Sequence, residues 1–227
     1  QVVGEFVLQL LLRGRFDRVD NGGFLILLLD ERDLQCLLER AHRVEGQRLP
    51  DLLRHILEEA ARRGNFVRVD MEDSRVTEVT LDIFRRLRAE FGLDDVGIVV
   101  QSYLRRTYGD VQELLKIPAR IRLCKGAYNE PPEVAFPDKK DVDDNYVRCM
   151  KVLLSSGAYH GIATHDERMI EATISHAQKE GIGKDAFEFQ MLYGVRRDLQ
   201  EQVVAEGDAE VVAVTASSAG LCAVGLG

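Results

Sequence analysis

Polar side chains able to do chemistry follow short apolar runs along the chain: Asp70, Glu72 and Asp73, then Gln101, then Lys125 and Tyr128, then Thr164, His165 and Asp166. Glu188 and Gln190 lie inside a further apolar run. Together they offer carboxylates for proton transfer, amide and cationic donors for developing negative charge, and one amine able to attack a carbonyl. Taken singly, each is as readily a solvated loop residue. Gathered at one end of five successive strands, they would form a functional rim. Lys125 leaves open a Schiff-base lysine of an aldolase-like barrel, activated by desolvation. His165 with Asp166 suggests a metal pair, but adjacent strand residues point opposite ways and no second histidine lies nearby at ligand spacing, so no metal is expected.

Positioning these groups requires alternating strands and helices. The β-branched and apolar runs at residues 66–70, 96–101, 121–125, 160–164, 186–191 and 211–215 read as strands, spaced by about one strand-helix-strand unit. Between them, apolar residues recur at helical spacing. Asp51 caps a segment with Leu52, Leu53, Ile56, Leu57 and Ala60 on one face and Gly64 as its stop; Val79, Ile83, Phe84, Leu87 and Phe91 form a second stripe that ends at Gly92. Further stripes are Tyr146, Met150, Leu153 and Leu154, then Met169, Ile170, Thr173 and Ala177, then Leu199, Val203 and Val204. All are expected to pack against a sheet. Strands joined by such crossovers are parallel and buried on both faces, in an open doubly wound sheet or a closed barrel. No G-x-G-x-x-G opens a helix, and two more apolar runs, at residues 2–10 and 24–29, would bring the strands to eight. The expectation is an α/β chain folded as one (β/α)8 TIM-type barrel domain over residues 1–227, incomplete or distorted at its first, second and last strands.

With 227 residues, 45% hydrophobic and 30% charged, the chain can bury one sizeable core. A formal charge of -8 argues against nucleic-acid binding, which needs clustered Lys and Arg. Cys36, Cys124, Cys149 and Cys222 show no C-x-x-C spacing, so a reduced intracellular setting is expected. The apolar runs fall short of the roughly 20 residues of a membrane span, and no signal peptide is evident.

The stretches VRVDMEDS (67–74), VGIVVQSYLRRT (96–107), RLCKGAYNEP (122–131), VAFPDK (134–139), ATHDER (163–168) and FEFQMLYGVRRDLQ (187–200) closely resemble proline dehydrogenases of the bacterial monofunctional type. The resemblance covers about residues 51–207, the third to seventh strands of that family's barrel. It implies FAD as cofactor, oxidation of L-proline to 1-pyrroline-5-carboxylate, and a quinone as electron acceptor. It also implies a cytoplasmic location, at most peripheral to the inner membrane. Carried over by motif, Asp70 and Arg122 are catalytic; Met71, Gln101, Lys125, Gly126, Ala127, Thr164 and His165 contact FAD; Tyr128, Leu192 and Tyr193 line the substrate side. Gly126 and Ala127 lack bulk, which would let the backbone approach a ring or phosphate.

Both ends depart from the pattern. The family's second strand carries a lysine for the substrate carboxylate in a K-L-[ST] motif, whereas the corresponding FLILLLDERD (24–33) has none. Its last helix supplies an arginine pair for the same carboxylate, whereas residues 208–227 contain no arginine. Arg196 and Arg197 belong to the R-R-D-L-Q after the seventh strand and do not replace that clamp. Two activities follow as expectations: a proline-oxidising flavoenzyme, or a flavin-binding barrel impaired for want of the clamp.

Overall fold

The computed structural model describes residues 11–13, 24–26, 54, 57, 58, 61, 62, 66–192, 194–206, 210–217 and 220–225. Six strands run parallel in sequence order: β3 (Val67–Val69), β4 (Val96–Gln101), β5 (Ile121–Cys124), β6 (His160–Ala163), β7 (Phe187–Leu192) and β8 (Glu210–Ser217). Helices α1 (Ser74–Ala89), α2 (Thr107–Leu114), α3 (Lys139–Leu154), α4 (Glu167–Glu180) and α5 (Arg197–Glu206) connect them. The strand order never reverses, as it would at the switch point of a doubly wound sheet, so the winding is that of a barrel.

The expectation of eight parallel strands needs correction at both ends. β9 (Gly220–Gly225) returns antiparallel along β8, and β1 (Leu11–Arg13) pairs antiparallel with β2 (Phe24–Ile26) in a separate sheet. Chain length explains both. Residues 218–219 and 14–23 are too few for the crossover of about a dozen residues that a parallel connection needs. β1 lies beside β3 and β2 beside β9, although no hydrogen-bonded ladder joins the two sheets among the described residues. The strand expected at residues 2–10 lies outside the described residues. In the segment expected to start at Asp51, residues 54, 57, 58, 61 and 62 are helical and Leu57 is buried.

Outward-facing strand residues such as Val67, Val96, Ile98, Ile121, Leu123, Ile162, Phe187 and Phe189 join the helix stripes in one core. In α1 the stripe is Thr77, Thr80, Leu81, Ile83, Phe84 and Leu87. Val79, expected inside, is 42% exposed, and Val204 of α5 likewise faces out. Two threonines take the inner positions of α1 because their hydroxyls bond back to the carbonyls of Asp73 and Val76, which satisfies them without water. Asp73 caps α1 and Asp166 caps α4, each accepting from the backbone N–H two residues on.

Inward-facing positions alternate between bulky polar and small. Register pairs Arg68 with Gly97, and Arg122 and Glu188 with Gly161. A Cβ on Gly97 would meet the Arg120 carbonyl at 2.4 Å and the Phe66 ring at 2.6 Å; one on Gly161 would meet the Gln190 amide at 2.8 Å. The glycine of β4 therefore leaves room for the Phe66 ring and the Arg120 carbonyl, and that of β6 for the Gln190 amide. His160, on the opposite face of β6 from Gly161, is also buried. Its Nδ1 accepts the Ile121 N–H at 3.1 Å, its Nε2 lies 2.8 Å from Ser156 Oγ, and burial lowers its pKa to about 4.

Two stability outcomes follow. Gly97→Ala should destabilise strongly, because the added methyl meets backbone, whereas Gly109→Ala, with open space around it in α2, should stabilise by up to about 1 kcal/mol in urea denaturation. Because the His160 pKa is depressed on folding, the unfolded chain takes up its proton first as pH falls. This contribution is complete above about pH 6.5 and shrinks by about 3 kcal/mol as pH drops towards 4. His160→Gln should flatten that part of a stability-against-pH curve, and an unchanged slope would exclude His160 as its source.

Candidate active site

A cavity of about 970 Å³ opens at the carboxyl ends of β3 to β7, within the range of small-molecule and cofactor sites. Asp70, Met71, Gln101, Arg122, Lys125, Gly126, Ala127, Tyr128, Thr164, His165 and Leu192 all line it. Tyr193 lies outside the described residues. The structure thus brings every other site residue singled out from the motifs to one cavity: Arg122 from within β5, the others from at or beyond the strand ends.

The geometry assigns distinct states to these groups. Asp70 Oδ1 accepts the Met71 N–H at 2.9 Å. Gln101 is buried, donates from Nε2 to the Met71 carbonyl at 3.0 Å, and has no partner for its Oε1. A buried acceptor without a donor costs free energy, so this oxygen is left unsatisfied among the described residues. Arg122 Nε donates to Gln190 Oε1 at 2.6 Å, and its terminal nitrogens have no hydrogen-bond partner among the described residues. His165 Nε2 accepts the Leu192 N–H at 2.7 Å, which places the proton of the neutral ring on Nδ1. Burial, helped by Arg122 and Arg196, pushes the ring below its ordinary pKa and keeps it neutral.

Lys125 is not a lone amine. Its Nζ lies 2.5 Å from Asp143 Oδ1 and 2.8 Å from Asp166 Oδ2, and Lys139 and Arg168 reach the same carboxylates. Burial opposes the charge of Asp166, but hydrogen bonds from Lys125, Arg168 and Lys139 outweigh it and hold the carboxyl well below the usual range. A Schiff-base nucleophile requires a desolvated, unpaired amine, so this setting works against the aldolase alternative. Asp166 is an N-cap rather than a strand residue, and among the described residues no group of three His, Cys, Asp or Glu converges on a metal position.

Gly126 needs a different account from the one its motif suggested. It sits at φ 97°, and a Cβ there would meet the Tyr103 ring at 2.1 Å. Its missing side chain accommodates this protein's own tyrosine. The β5–α3 loop that follows is strapped to the start of α1: Glu130 accepts from the Ser74 N–H and hydroxyl, both at 2.7 Å, and the Tyr128 hydroxyl donates to Glu72. Burial raises Glu72 above the ordinary carboxylate range.

Several lining residues escaped the motif reading, including Cys124, Glu167, Arg168 and Met191. Burial pushes the Cys124 thiol up to about 11, so it is an inert wall. Arg196 also lines the cavity, at φ 52°, and is held by Glu167 and Asp198. Asp143 carried no signal, since nothing local marks a helical aspartate as the partner of a distant lysine.

A sequence profile described as proline dehydrogenase matches residues 15–219. Proline dehydrogenase of Deinococcus radiodurans is 53% identical over 154 residues, 68% of this chain and 50% of that protein. Proline dehydrogenase 2 of Bacillus subtilis is 45% identical over 152 residues, 67% of this chain and 50% of that protein. The chain spans about half the length of the curated relatives it matches. Among solved structures, proline utilization A from Bdellovibrio bacteriovorus, inactivated by N-propargylglycine, superposes with a TM-score of 0.68 at 33% identity, covering 72% of this chain and 19% of that one. A match to the profile over most of the sequence, joined to a parallel sheet whose strand ends converge on one cavity, shows that the chain belongs to the proline dehydrogenase family.

Proposed function

We propose that this cavity binds FAD and L-proline and that the reaction it serves is oxidation of proline to 1-pyrroline-5-carboxylate, with a quinone as final electron acceptor. One observation carries the reading. Among the described residues Arg122 has terminal guanidinium nitrogens free of carboxylate, and Gln101, which lines the same cavity, has an unpaired buried Oε1. A flavin ring presents carbonyl acceptors beside an N–H donor, and this pair of groups matches that combination. Met71, Met191 and Leu192 supply apolar wall around it, and His165 offers Nδ1–H as a neutral donor. When bound, FAD would accept the hydride from the carbon beside the proline nitrogen. The protein's part is to hold charge and exclude water. Arg122 stabilises negative charge, and Asp70, with Oδ1 on the Met71 amide, presents a fixed carboxylate to the cationic substrate. In this reading Met71, Gln101, Lys125, Gly126, Ala127, Thr164 and His165 form the cofactor side, and Tyr128, Leu192 and Tyr193 the substrate side. Lys125 acts within its ion network and Gly126 through Tyr103. The family places the acceptor in a membrane, which suits a cytoplasmic protein peripheral to it; among the described residues no helix is long and apolar enough to cross one.

A second reading has its own observation. Lys125, Arg168 and Arg196, the other cations that line the cavity, are each paired with carboxylates. Among the described residues a clamp for the proline carboxylate is therefore lacking, which favours a flavin-binding core that turns proline over poorly.

The purified chain should show a visible flavin spectrum that anaerobic L-proline bleaches; a yellow but unresponsive protein selects the second reading, and a colourless one removes both. Arg122→Ala should lower proline-dependent dye reduction by about a hundredfold or more while melting as the parent does. Undiminished turnover in that variant would remove Arg122 from the chemistry. Asp166→Asn should destabilise at neutral pH, and the difference should start to shrink below about pH 4 and close only as pH falls through the much lower folded pKa, since between the two values the folded carboxyl stays ionised while the unfolded one takes up its proton. Thermal melts of parent and variant across that range check the convergence.

A further inference from the structure

Beneath the cavity the inner face of the sheet carries a buried polar file that neither the motifs nor the reaction explains. Arg122 Nε donates to Gln190 Oε1 at 2.6 Å, Gln190 Nε2 donates to Glu188 Oε1, and Glu188 Oε2 accepts the Tyr159 hydroxyl at 2.9 Å. Arg68 Nη2 lies 3.8 Å from Glu188 Oε1. Gln190, Glu188 and Arg68 are all buried.

We propose that Gln190 is a positioning residue: Glu188 fixes the direction of its amide, so that the amide carbonyl holds Arg122 by Nε and leaves the terminal guanidinium nitrogens to the cavity. The inference rests on the reading of Arg122 as the working cation. It follows from what each group is able to do. An arginine Nε only donates and an ionised carboxylate only accepts, so a Gln between them satisfies both in a single orientation. Flipping the amide would set donor against donor at Arg122 and acceptor against acceptor at Glu188, each an unmade hydrogen bond without water. Glu188 is itself held by the Tyr159 hydroxyl and the Arg68 charge, so it cannot swing to follow a flipped amide. Gly161 completes the device, because a side chain there would occupy the space of the Gln190 amide. The file links Arg68, at the base of the interior, to the orientation of a guanidinium at the cavity floor.

Two variants of the full chain test this: Gln190→Leu, which removes the acceptor at similar volume, and Glu188→Gln, which keeps shape but frees the amide to turn. The first readout needs no flavin. Exchange of the Arg122 Nε–H with water, followed by ¹⁵N NMR and assigned by its loss in Arg122→Lys, should quicken by about tenfold or more in both variants. The second uses the folded, flavin-loaded enzyme: kcat should fall by about a hundredfold, while KM for L-proline and flavin content hold. Unchanged Nε–H exchange in both variants overturns the proposal whether or not flavin binds. Quickened exchange with undiminished kcat also overturns it, provided Arg122→Ala is inactive. If Arg122→Ala keeps its activity as well, the catalytic reading fails instead, and exchange alone then decides whether Gln190 orients the guanidinium.

Discussion

Arg68 on β3 and Glu188 on β7 face each other through the interior, although their strands are not neighbours. Neither side chain reaches water to any extent, and the 3.8 Å pairing with Glu188 offsets the cost of burying the Arg68 charge, whose Nε has no hydrogen-bond partner among the described residues. Burial lowers the Arg68 pKa to about 10, against the pull of Glu188, a measure of how dry the site is. The pairing dictates which strand faces may turn inward and therefore where Asp70, Arg122 and Gln190 point. The glycine of β6 serves the same file, since a side chain there would occupy the space of the Gln190 amide.

From that base upward, the charges at the cavity follow a simple arrangement. Lys125, Lys139 and Arg168 meet Asp143 and Asp166, which ties β5 to α3 and to the cap of α4. Arg196 is taken up by Glu167 and Asp198. These networks brace the rim and neutralise it. Among the described residues, what is left for a ligand is the guanidinium of Arg122, the carboxylate of Asp70, the amide of Gln101 and the ring of His165, a small set of convergent polar groups beside the apolar wall of Met71, Met191 and Leu192.

Most of this set was legible before any coordinates, because in parallel β/α folds the residues after each strand share one rim, and strand ends can be read locally from where apolar runs stop. The positions of Asp70, Gln101, Lys125 and His165 on one cavity follow from that rule, whereas Arg122, inside β5, was singled out only by the resemblance to proline dehydrogenases. What those residues touch was not legible. Lys125 looked like an available amine because Asp143 lies within a helix, and Gly126 looked like a cradle for a ligand because the ring that needs its space belongs to Tyr103. Val79 fits a helical stripe by spacing, yet Thr77 and Thr80 take the inner face once their hydroxyls find carbonyls in the preceding turn.

By itself the amino-acid order determined the strand and helix rhythm, the parallel pairing forced by helical crossovers, and the identities of the groups at the strand ends. These depend on periodicity and chain length over a few turns, which are properties of neighbours in sequence. The tertiary structure alone decided which charges are neutralised, which way the Gln190 amide faces, and that the last two strands fold back on each other instead of continuing the parallel series. Those outcomes rest on contacts between residues far apart along the chain, and a hydrogen bond or ion pair has no energy until the fold brings its two ends together.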